Sequence, residues 1–363
     1  MNVLDHFPAD YRSARANFVS ACAAAGIGTT ARVHPSAHGR DGKSLFLDTA
    51  VIGPREAPSA LLLISATHGV EGYFGSAAQT GMLRGGLLRP PDGGKVVLLH
   101  ALNPYGFSWD RRVNEDNADI NRNFVDHAKP PVNEAYASLA EWIAPKDLSR
   151  ETIKAANAKL KAYAQAHGEF ALQEAISKGQ YAFADGIYYG GAGESWSSRM
   201  LRDVIGQELS GVRRLIVIDF HTGLGPHGYG EMITEDIPGS PAYIRAKAMW
   251  GKRLCSSEAG ESVSAPLTGT VDKAFAAWLP DVELTFAALE AGTVSTRETF
   301  QALRRDNWLY GVARGEDPQA EDIRREIRAA FYPDTDSWKK AVWPQAVEVT
   351  RAALGALKAE EIA

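Results

Sequence analysis

Three short predicted strands, two of them nearly continuous apolar runs and each followed closely by ionisable side chains, constrain the fold of this 363-residue chain more than any other feature. Runs of this length between turn residues suit strands that are buried on both faces of a sheet. In open α/β sheets, functional groups gather where such strands end. We therefore expect the polar groups that follow the three strands to meet at one edge. They are residues 60–65 with His68 and Glu71, residues 214–220 with His221, and residues 282–289 with Glu290.

The pattern of the whole chain predicts a single α/β domain, residues 1–363, with a three-layer α/β/α fold around a twisted, mixed and mainly parallel sheet. Residues 125–205 are rich in Ala, Lys, Glu and Gln, with apolar residues at helical intervals, and they predict a helical and loop insertion. Residues 296–363 predict C-terminal helices packed on the same domain. The other predicted strands are residues 45–52 and 96–100, and the predicted helices include residues 9–25, 72–85, 200–209, 241–255, 274–278, 297–312 and 336–359.

Composition excludes several classes of protein. The formal net charge is -5 and no long basic run occurs, so the electrostatic footprint of a nucleic-acid-binding protein is missing. Only Cys22 and Cys255 are present, which excludes a disulfide scaffold and favours two free thiols. No apolar run is long enough to span a bilayer, and the first twenty residues lack the apolar core of a signal peptide. We expect a cytoplasmic protein that binds neither nucleic acid nor membrane.

The polar groups at the strand ends predict a metal centre. Two neutral imidazoles and one carboxylate, from His68, His221 and Glu71, would complete the three protein ligands of one catalytic zinc ion. Glu290 is then free to act as a base, since a carboxylate beside such a centre can shuttle a proton. The chemistry that this set predicts is zinc-dependent hydrolysis of an amide or a similar acyl bond.

The motifs of the chain, taken in order, resemble the M14 zinc carboxypeptidase superfamily over residues 45–295. That superfamily includes the succinylglutamate desuccinylase and aspartoacylase group, and two further runs resemble its DUF2817 branch. The superfamily motifs are His68-Gly-Val-Glu71, Asn103-Pro-Tyr-Gly-Phe107, Arg112, Asp119-Ile-Asn-Arg-Asn-Phe124, His221 and Glu290 before Gly-Thr. The DUF2817 runs are Asp219-Phe-His-Thr-Gly-Leu-Gly-Pro226 and Gly179-Gln-Tyr followed by Gly186-Ile-Tyr-Tyr-Gly-Gly191.

This resemblance implies a role for each matching residue. It makes His68, Glu71 and His221 the zinc ligands, and it makes Glu290 the general base and then the general acid. It assigns to Arg112 the stabilisation of the oxyanion in the tetrahedral intermediate, a role that suits a guanidinium because its charge never titrates.

The resemblance also implies how the substrate is held. Asn121 and Arg122 would bind a substrate carboxylate, for which Arg offers a bidentate fork. Asp119 would orient the imidazole of His68. The tyrosine that carboxypeptidases fold over their substrate is assigned to Tyr229, with Tyr243 as the other candidate.

Several alternatives stay open in the sequence. The substrate is either a peptide with a free C-terminus or an N-acylated amino acid or related small amide, and the oligomeric state is not encoded in any motif. Arg111 could exchange roles with Arg112, and Glu283 is the rival base to Glu290. Residues 223–228 match Gly-x-Gly-x-x-Gly after a strand, which offers a dinucleotide-binding oxidoreductase as an alternative. That motif needs a helix to open within it, and the residues that follow do not predict one.

Overall fold

A computed structural model describes residues 2–357 of the chain. One eight-stranded sheet forms the centre of the molecule. Its spatial order is β1-β2-β4-β3-β5-β8-β6-β7, and its four central strands, β4, β3, β5 and β8, are parallel. The mixed, mainly parallel sheet predicted from the sequence is confirmed. The strands are β1 (Thr29–His38), β2 (Ser44–Ile52), β3 (Ser59–Ser65), β4 (Gly94–His100), β5 (Arg214–Gly223), β6 (Gly230–Thr234), β7 (Leu254–Ser256) and β8 (Glu283–Gly292).

Helices cover both faces of this sheet and complete the three-layer fold. Residues of α1, α2, α8 and α12 pack in one hydrophobic cluster with the sheet, and residues of α7 and α9 pack in another. The helices are α1 (Tyr11–Ala24), α2 (Gly72–Arg84), α3 (Pro104–Trp109), α4 (Glu134–Ile143), α5 (Arg150–His167), α6 (Glu169–Ser177), α7 (Trp196–Glu208), α8 (Pro241–Trp250), α9 (Val271–Trp278), α10 (Thr296–Gly311), α11 (Ala320–Phe331) and α12 (Asp336–Ala356).

Strand β3 shows why the two faces of the sheet are both apolar. Leu61 and Leu63 belong to the first cluster, whereas Leu62 and Ile64 belong to the second. Successive side chains of a strand point to opposite faces, so a continuous apolar run is what a strand covered on both sides requires. All four side chains are fully buried.

The segment predicted as an insertion contains α4, α5 and α6 and the first part of α7. The first three helices pack with α10 and α11 in a third hydrophobic cluster. In contrast, α7 contributes Leu201 and Val204 to the cluster on the sheet, so it covers the sheet itself. The division of the chain into a domain and an insertion stays a prediction, and the part of it beyond residue 357 lies outside the described residues.

Five strands and helices were absent from the sequence prediction, among them the short helix α3. The edge strand β1 is polar and largely exposed, so it lacks a clear alternating pattern. The predicted helix over residues 241–255 is wrong at its end, because α8 stops at Trp250 and β7 follows it. The short strand β6 and the charged helix α11 were also missed. Within residues 2–357, no helix combines the length and hydropathy that crossing a membrane would need.

Candidate metal centre

The turn after β3 positions the first two candidate ligands. Ala66 has a left-handed backbone, with φ of 59°, and a short 3-10 turn, Gly69–Glu71, leads directly into α2. A Cβ atom at Gly69 would lie 2.0 Å from the carbonyl carbon of Gly106, so only glycine lets this turn approach α3. The turn therefore holds His68 and Glu71 on either side of a close backbone contact.

Strands β5 and β8 bring two more groups to the same place. In their parallel register His221 is the partner of Glu290. Each strand continues to a glycine two residues further along the chain. His221 and Glu290 are therefore part of the strands, close to their ends, and do not follow the strands as the sequence predicted. The adjacent parallel strands therefore fix His221 and Glu290 at the same level of the sheet.

Three of these side chains converge through their ligand atoms. His68 Nδ1 lies 2.9 Å from Glu71 Oε1, and His221 Nδ1 lies 3.1 Å from Glu71 Oε2. The two Nδ1 atoms are 3.2 Å apart. All three residues are buried, and one ligand atom from each lies within 4.8 Å of the others.

The other nitrogen of each imidazole contacts a buried aspartate. His68 Nε2 lies 3.0 Å from Asp119 Oδ1, and His221 Nε2 lies 2.8 Å from Asp219 Oδ2. If each Nε2 donates its hydrogen to the aspartate, both Nδ1 atoms present lone pairs toward the Glu71 carboxylate. Three acceptors that face one another at about 3 Å repel, and a divalent cation between them removes that repulsion. The donor set therefore fits a metal ion such as zinc.

Arg112 is held against this group of ligands. Its Nη1 donates to Glu71 Oε1 at 2.8 Å and its Nε donates to Asp119 Oδ2 at 3.0 Å. Burial alone would lower the pKa of Arg112, but the carboxylates of Asp119 and Glu71 outweigh it and raise that pKa. The guanidinium is therefore a fixed positive charge beside the candidate metal centre.

Glu290 has the character of a proton-transfer group. Its side chain is 9% exposed, and Oε1 accepts a hydrogen bond from the backbone of Leu224 at 2.8 Å. Burial and the neighbouring Glu71 carboxylate raise the pKa of Glu290 to about 7. A carboxyl group with a pKa near the working pH can both accept and return a proton.

The raised pKa predicts a pH-dependent effect on stability. In the absence of metal, the unfolded chain ionises Glu290 near 4.5 and the folded chain near 7, so stability is lost as the pH rises through this window. Replacing Glu290 by Gln should recover roughly 3 kcal/mol at pH 8 and almost nothing at pH 4.5. Urea denaturation with chelator at both pH values measures this, and an equal gain at both would contradict it.

These groups open onto a cavity of about 660 Å³. Its wall includes His68, His221, Arg112 and Glu290, and also Asn121 and Arg122 from the segment that follows α3. The buried guanidinium of Arg122 hydrogen-bonds to carbonyl oxygens, with Nε and Nη2 donating to Ser177 at 3.0 and 2.7 Å. Burial lowers the pKa of Arg122.

The assignment of Tyr229 has no support in the geometry. Its ring is 42% exposed and packs over the guanidinium of Arg253, and it does not line the cavity. Tyr243 is not a lining residue either. The tyrosine that lines the cavity is Tyr188, whose ring lies over Arg112 and Arg122 at 5.3 and 5.4 Å.

The sequence assigned no role to Tyr188, and for Asp219 it left open either a buried hydrogen-bond acceptor or a group that orients a metal ligand. Tyr188 adopts a left-handed backbone with φ of 56°, which is uncommon outside glycine and asparagine and is often retained at functional sites. The Gly186–Gly191 motif contained it, but the motif alone gave no reason to prefer one tyrosine. Asp219 lies two residues before His221 on β5, and the period of a strand places both on one face.

The rival residues are occupied elsewhere. Arg111 is buried and paired with Asp306 at 3.1 Å, so it forms a structural ion pair in the interior of the protein. Glu283 pairs with Arg214 at the opposite end of the strands. The glycine-rich residues 223–228 lead into β6 and not into a helix, so they lack the helix N-terminus that a dinucleotide site requires.

Weakening the contacts behind the imidazoles should weaken metal binding. We expect Asp119→Asn and Asp219→Asn each to lower zinc affinity by about 10- to 100-fold, because the amide no longer draws the Nε2 proton and leaves Nδ1 less basic. Competition with a chromophoric chelator measures the affinity. Asp306→Asn is the matched control, a buried aspartate paired with Arg111, and an equal loss there would contradict the role of the two contacts.

Comparison with known proteins gives one family match. Residues 7–345 match the model of the family described as "Protein of unknown function (DUF2817)". A search of curated proteins gave no match. The family assignment therefore rests on a match that covers nearly the whole chain.

The fold was also compared with solved structures. Carboxypeptidase A from Helicoverpa armigera is 12% identical with a TM-score of 0.44, over 89% of this chain and 74% of that one. An aspartoacylase family protein from Mesorhizobium loti is 16% identical with a TM-score of 0.37, over 79% and 67%. A murein-tripeptide amidase from Escherichia coli O157 is 16% identical with a TM-score of 0.36, over 78% and 92%.

Proposed function

We propose that this chain, which belongs to the DUF2817 family, is a zinc-dependent hydrolase that cleaves an amide bond next to a carboxylate-bearing group. The observation that carries the proposal is the convergence of ligand atoms from His68, Glu71 and His221, beside a cavity that His68, His221 and Glu290 line. A divalent ion held by those three groups would polarise the scissile carbonyl and activate water for attack.

Glu290 supplies the proton transfers in this proposal. As a carboxylate it takes the proton from the attacking water, and as an acid it returns that proton to the leaving nitrogen. Its pKa of about 7 suits both steps near neutral pH. A bound cation would lower that pKa, so the rising limb of the pH profile is expected below pH 7.

Arg112 stabilises the charge that develops on the carbonyl oxygen. Its Nη1 and Nε are engaged by Glu71 and Asp119, which fixes the orientation of the guanidinium. Arg112 lines the cavity, where a preoriented charge stabilises a developing oxyanion more than water would. The position of Arg112 in the cavity wall supports this role in oxyanion stabilisation.

Arg122 binds the substrate carboxylate together with Asn121. Arg122 lines the cavity, is 2% exposed and donates to carbonyl oxygens, and among residues 2–357 no carboxylate is in hydrogen-bond contact with its guanidinium. A buried cation in that state favours an anionic ligand. Asn121 is anchored because its Oδ1 accepts from the backbone of Val271 at 2.9 Å.

The carboxylate role gives a direct test of the proposal. We expect the zinc-loaded protein to hydrolyse an N-acyl amino acid or dipeptide with a free carboxyl group at least tenfold faster, in kcat/KM, than the matched amide, since a bidentate ion pair to Arg122 is lost. In Arg122→Gln the preference should disappear. Equal turnover of free and amidated substrates by the wild type would refute this role, and absence of hydrolysis across both classes would refute the proposed function.

A deacylase of N-acyl amino acids or related small amides is the second candidate. Helices α5 and α6 line the cavity beside the candidate metal centre and together contribute nine of its lining residues. A cavity covered in this way restricts the length of polypeptide that could enter. The cover favours a small amide over a long peptide, and a comparison of N-acyl amino acids with peptides of increasing length distinguishes the two.

A further inference from the structure

The cavity beside the candidate metal centre has an apolar side that the proposed chemistry does not use. It is built by the inner faces of α5 and α6 and by the first turns of α10. We call it the apolar patch and define it by five lining residues: Leu160, Ala164, Leu172, Ile176 and Phe300.

The spacing of these residues explains why they form one surface. Leu160 and Ala164 are four residues apart on α5, and Leu172 and Ile176 are four apart on α6, so each pair occupies one face of its helix. Phe300 adds an aromatic ring from the neighbouring helix. Three helices therefore contribute the patch to one and the same cavity.

The patch is more than the packing core of these helices. Leu160 and Ala164 are buried, but Leu172, Ile176 and Phe300 keep part of their surface exposed while lining the cavity. Apolar surface that faces a water-filled cavity gains free energy when an apolar ligand covers it. The three charged lining residues of the same helices, Lys161, Glu169 and Arg297, are exposed and give the patch a polar rim.

The patch continues to the candidate metal centre. Phe331 lines the cavity, its ring lies 6.0 Å from the Arg112 guanidinium, and it belongs to the same hydrophobic cluster as Leu160 and Val70. Val70 stands between the candidate ligands His68 and Glu71 in the chain. The carbonyl oxygen of Ser177, the last residue of α6, accepts hydrogen bonds from the Arg122 guanidinium. Helix α6 therefore also contacts the predicted carboxylate site.

We propose that the apolar patch binds a flexible apolar group of several carbons carried by the substrate. This inference rests on the proposed amide hydrolysis and deepens it by naming the substrate class, an amide of an amino acid with an alkyl chain. The chain is carried either by the acyl group or by the side chain of the amino acid, and both share the same recognition chemistry. The polar rim then marks the mouth through which the substrate enters.

The test measures how activity depends on chain length. One series extends the acyl group of an N-acyl amino acid from acetyl to octanoyl, and the other keeps acetyl and extends the amino-acid side chain from alanine to norleucine. We expect kcat/KM of the zinc-loaded protein to rise about fourfold for each methylene in one of the two series. Flat dependence in both series, with hydrolysis observed, overturns the inference and leaves the proposed function standing.

A variant pair links the effect to the patch. Leu172→Gln and the milder Leu172→Ala should flatten the dependence on chain length. Phe170→Gln changes a residue on the same helix that is 50% exposed and does not line the cavity, so its dependence should match the wild type. An unchanged slope in both Leu172 variants overturns the assignment.

Binding distinguishes failure of this inference from failure of the proposed function. Calorimetric titration of the wild type with straight-chain carboxylates from acetate to octanoate does not need turnover. Affinity that rises with chain length, and does not rise in Leu172→Gln, supports the patch even if no amide is hydrolysed. Equal affinity for all lengths overturns it.

Discussion

Replacing Glu290 by Gln should lower kcat for amide hydrolysis by about a thousandfold, because the amide can neither take a proton from water nor return one to the leaving nitrogen. Gln keeps the size of the side chain and can still accept the hydrogen bond from the Leu224 backbone. The three candidate ligands remain, so zinc content should be unchanged. Steady-state kinetics of zinc-loaded proteins, with metal content measured on the same samples, checks both expectations.

Glu283 provides the matched control for this experiment. It is a glutamate of the same strand, β8, paired with Arg214 at the far end from the cavity. Glu283→Gln should leave kcat within about twofold of the wild type, since ordinary substitutions away from the site have small effects. Full activity in Glu290→Gln would remove the assignment of this residue as the base.

Replacing Arg112 by Lys should lower kcat by about 100- to 1,000-fold, as expected for loss of a donor to a developing oxyanion. Lysine keeps the charge, but a single ammonium cannot hold both Glu71 and Asp119 and also offer a donor to the cavity. KM should change much less than kcat, because the contact strengthens only in the transition state.

A variant of the neighbouring Arg111 serves as the control that distinguishes a catalytic role of Arg112 from a structural one. Arg111→Lys weakens a buried ion pair with Asp306 and a contact with the Tyr310 ring, so it should lower stability and leave kcat nearly unchanged. If Arg112→Lys instead loses its zinc while Arg111→Lys retains it, Arg112 acts by positioning Glu71 and not on the substrate.

Much of the fold could be predicted from the sequence because the central strands of the sheet are strongly apolar. Apolar runs at β3 and β5, together with the strand predicted at β8, indicated a mainly parallel sheet, and the common edge of these strands predicted which distant residues would meet. The resemblance to DUF2817 is confirmed by the family match over residues 7–345. The proximity of His221 to His68, 153 residues earlier in the chain, depends on the parallel pairing of β3 with β5.

Other parts of the site left no periodic signal in the sequence. Tyr188 lines the cavity through a left-handed backbone in an irregular loop, whereas Tyr229 is near the site in sequence but exposed in space. The choice between Arg111 and Arg112 depends on which guanidinium turns toward Glu71, and adjacent residues look alike in a motif. The cover formed by α5 and α6 depends on packing between segments far apart in the chain.

The metal content of protein purified without added zinc tests the central claim most directly. Elemental analysis of the wild type should find one zinc ion per chain, and His221→Ala, which removes one of three converging ligands, should lose both the metal and the hydrolytic activity. Hydrolysis by wild-type protein that is shown to be free of metal would contradict the account.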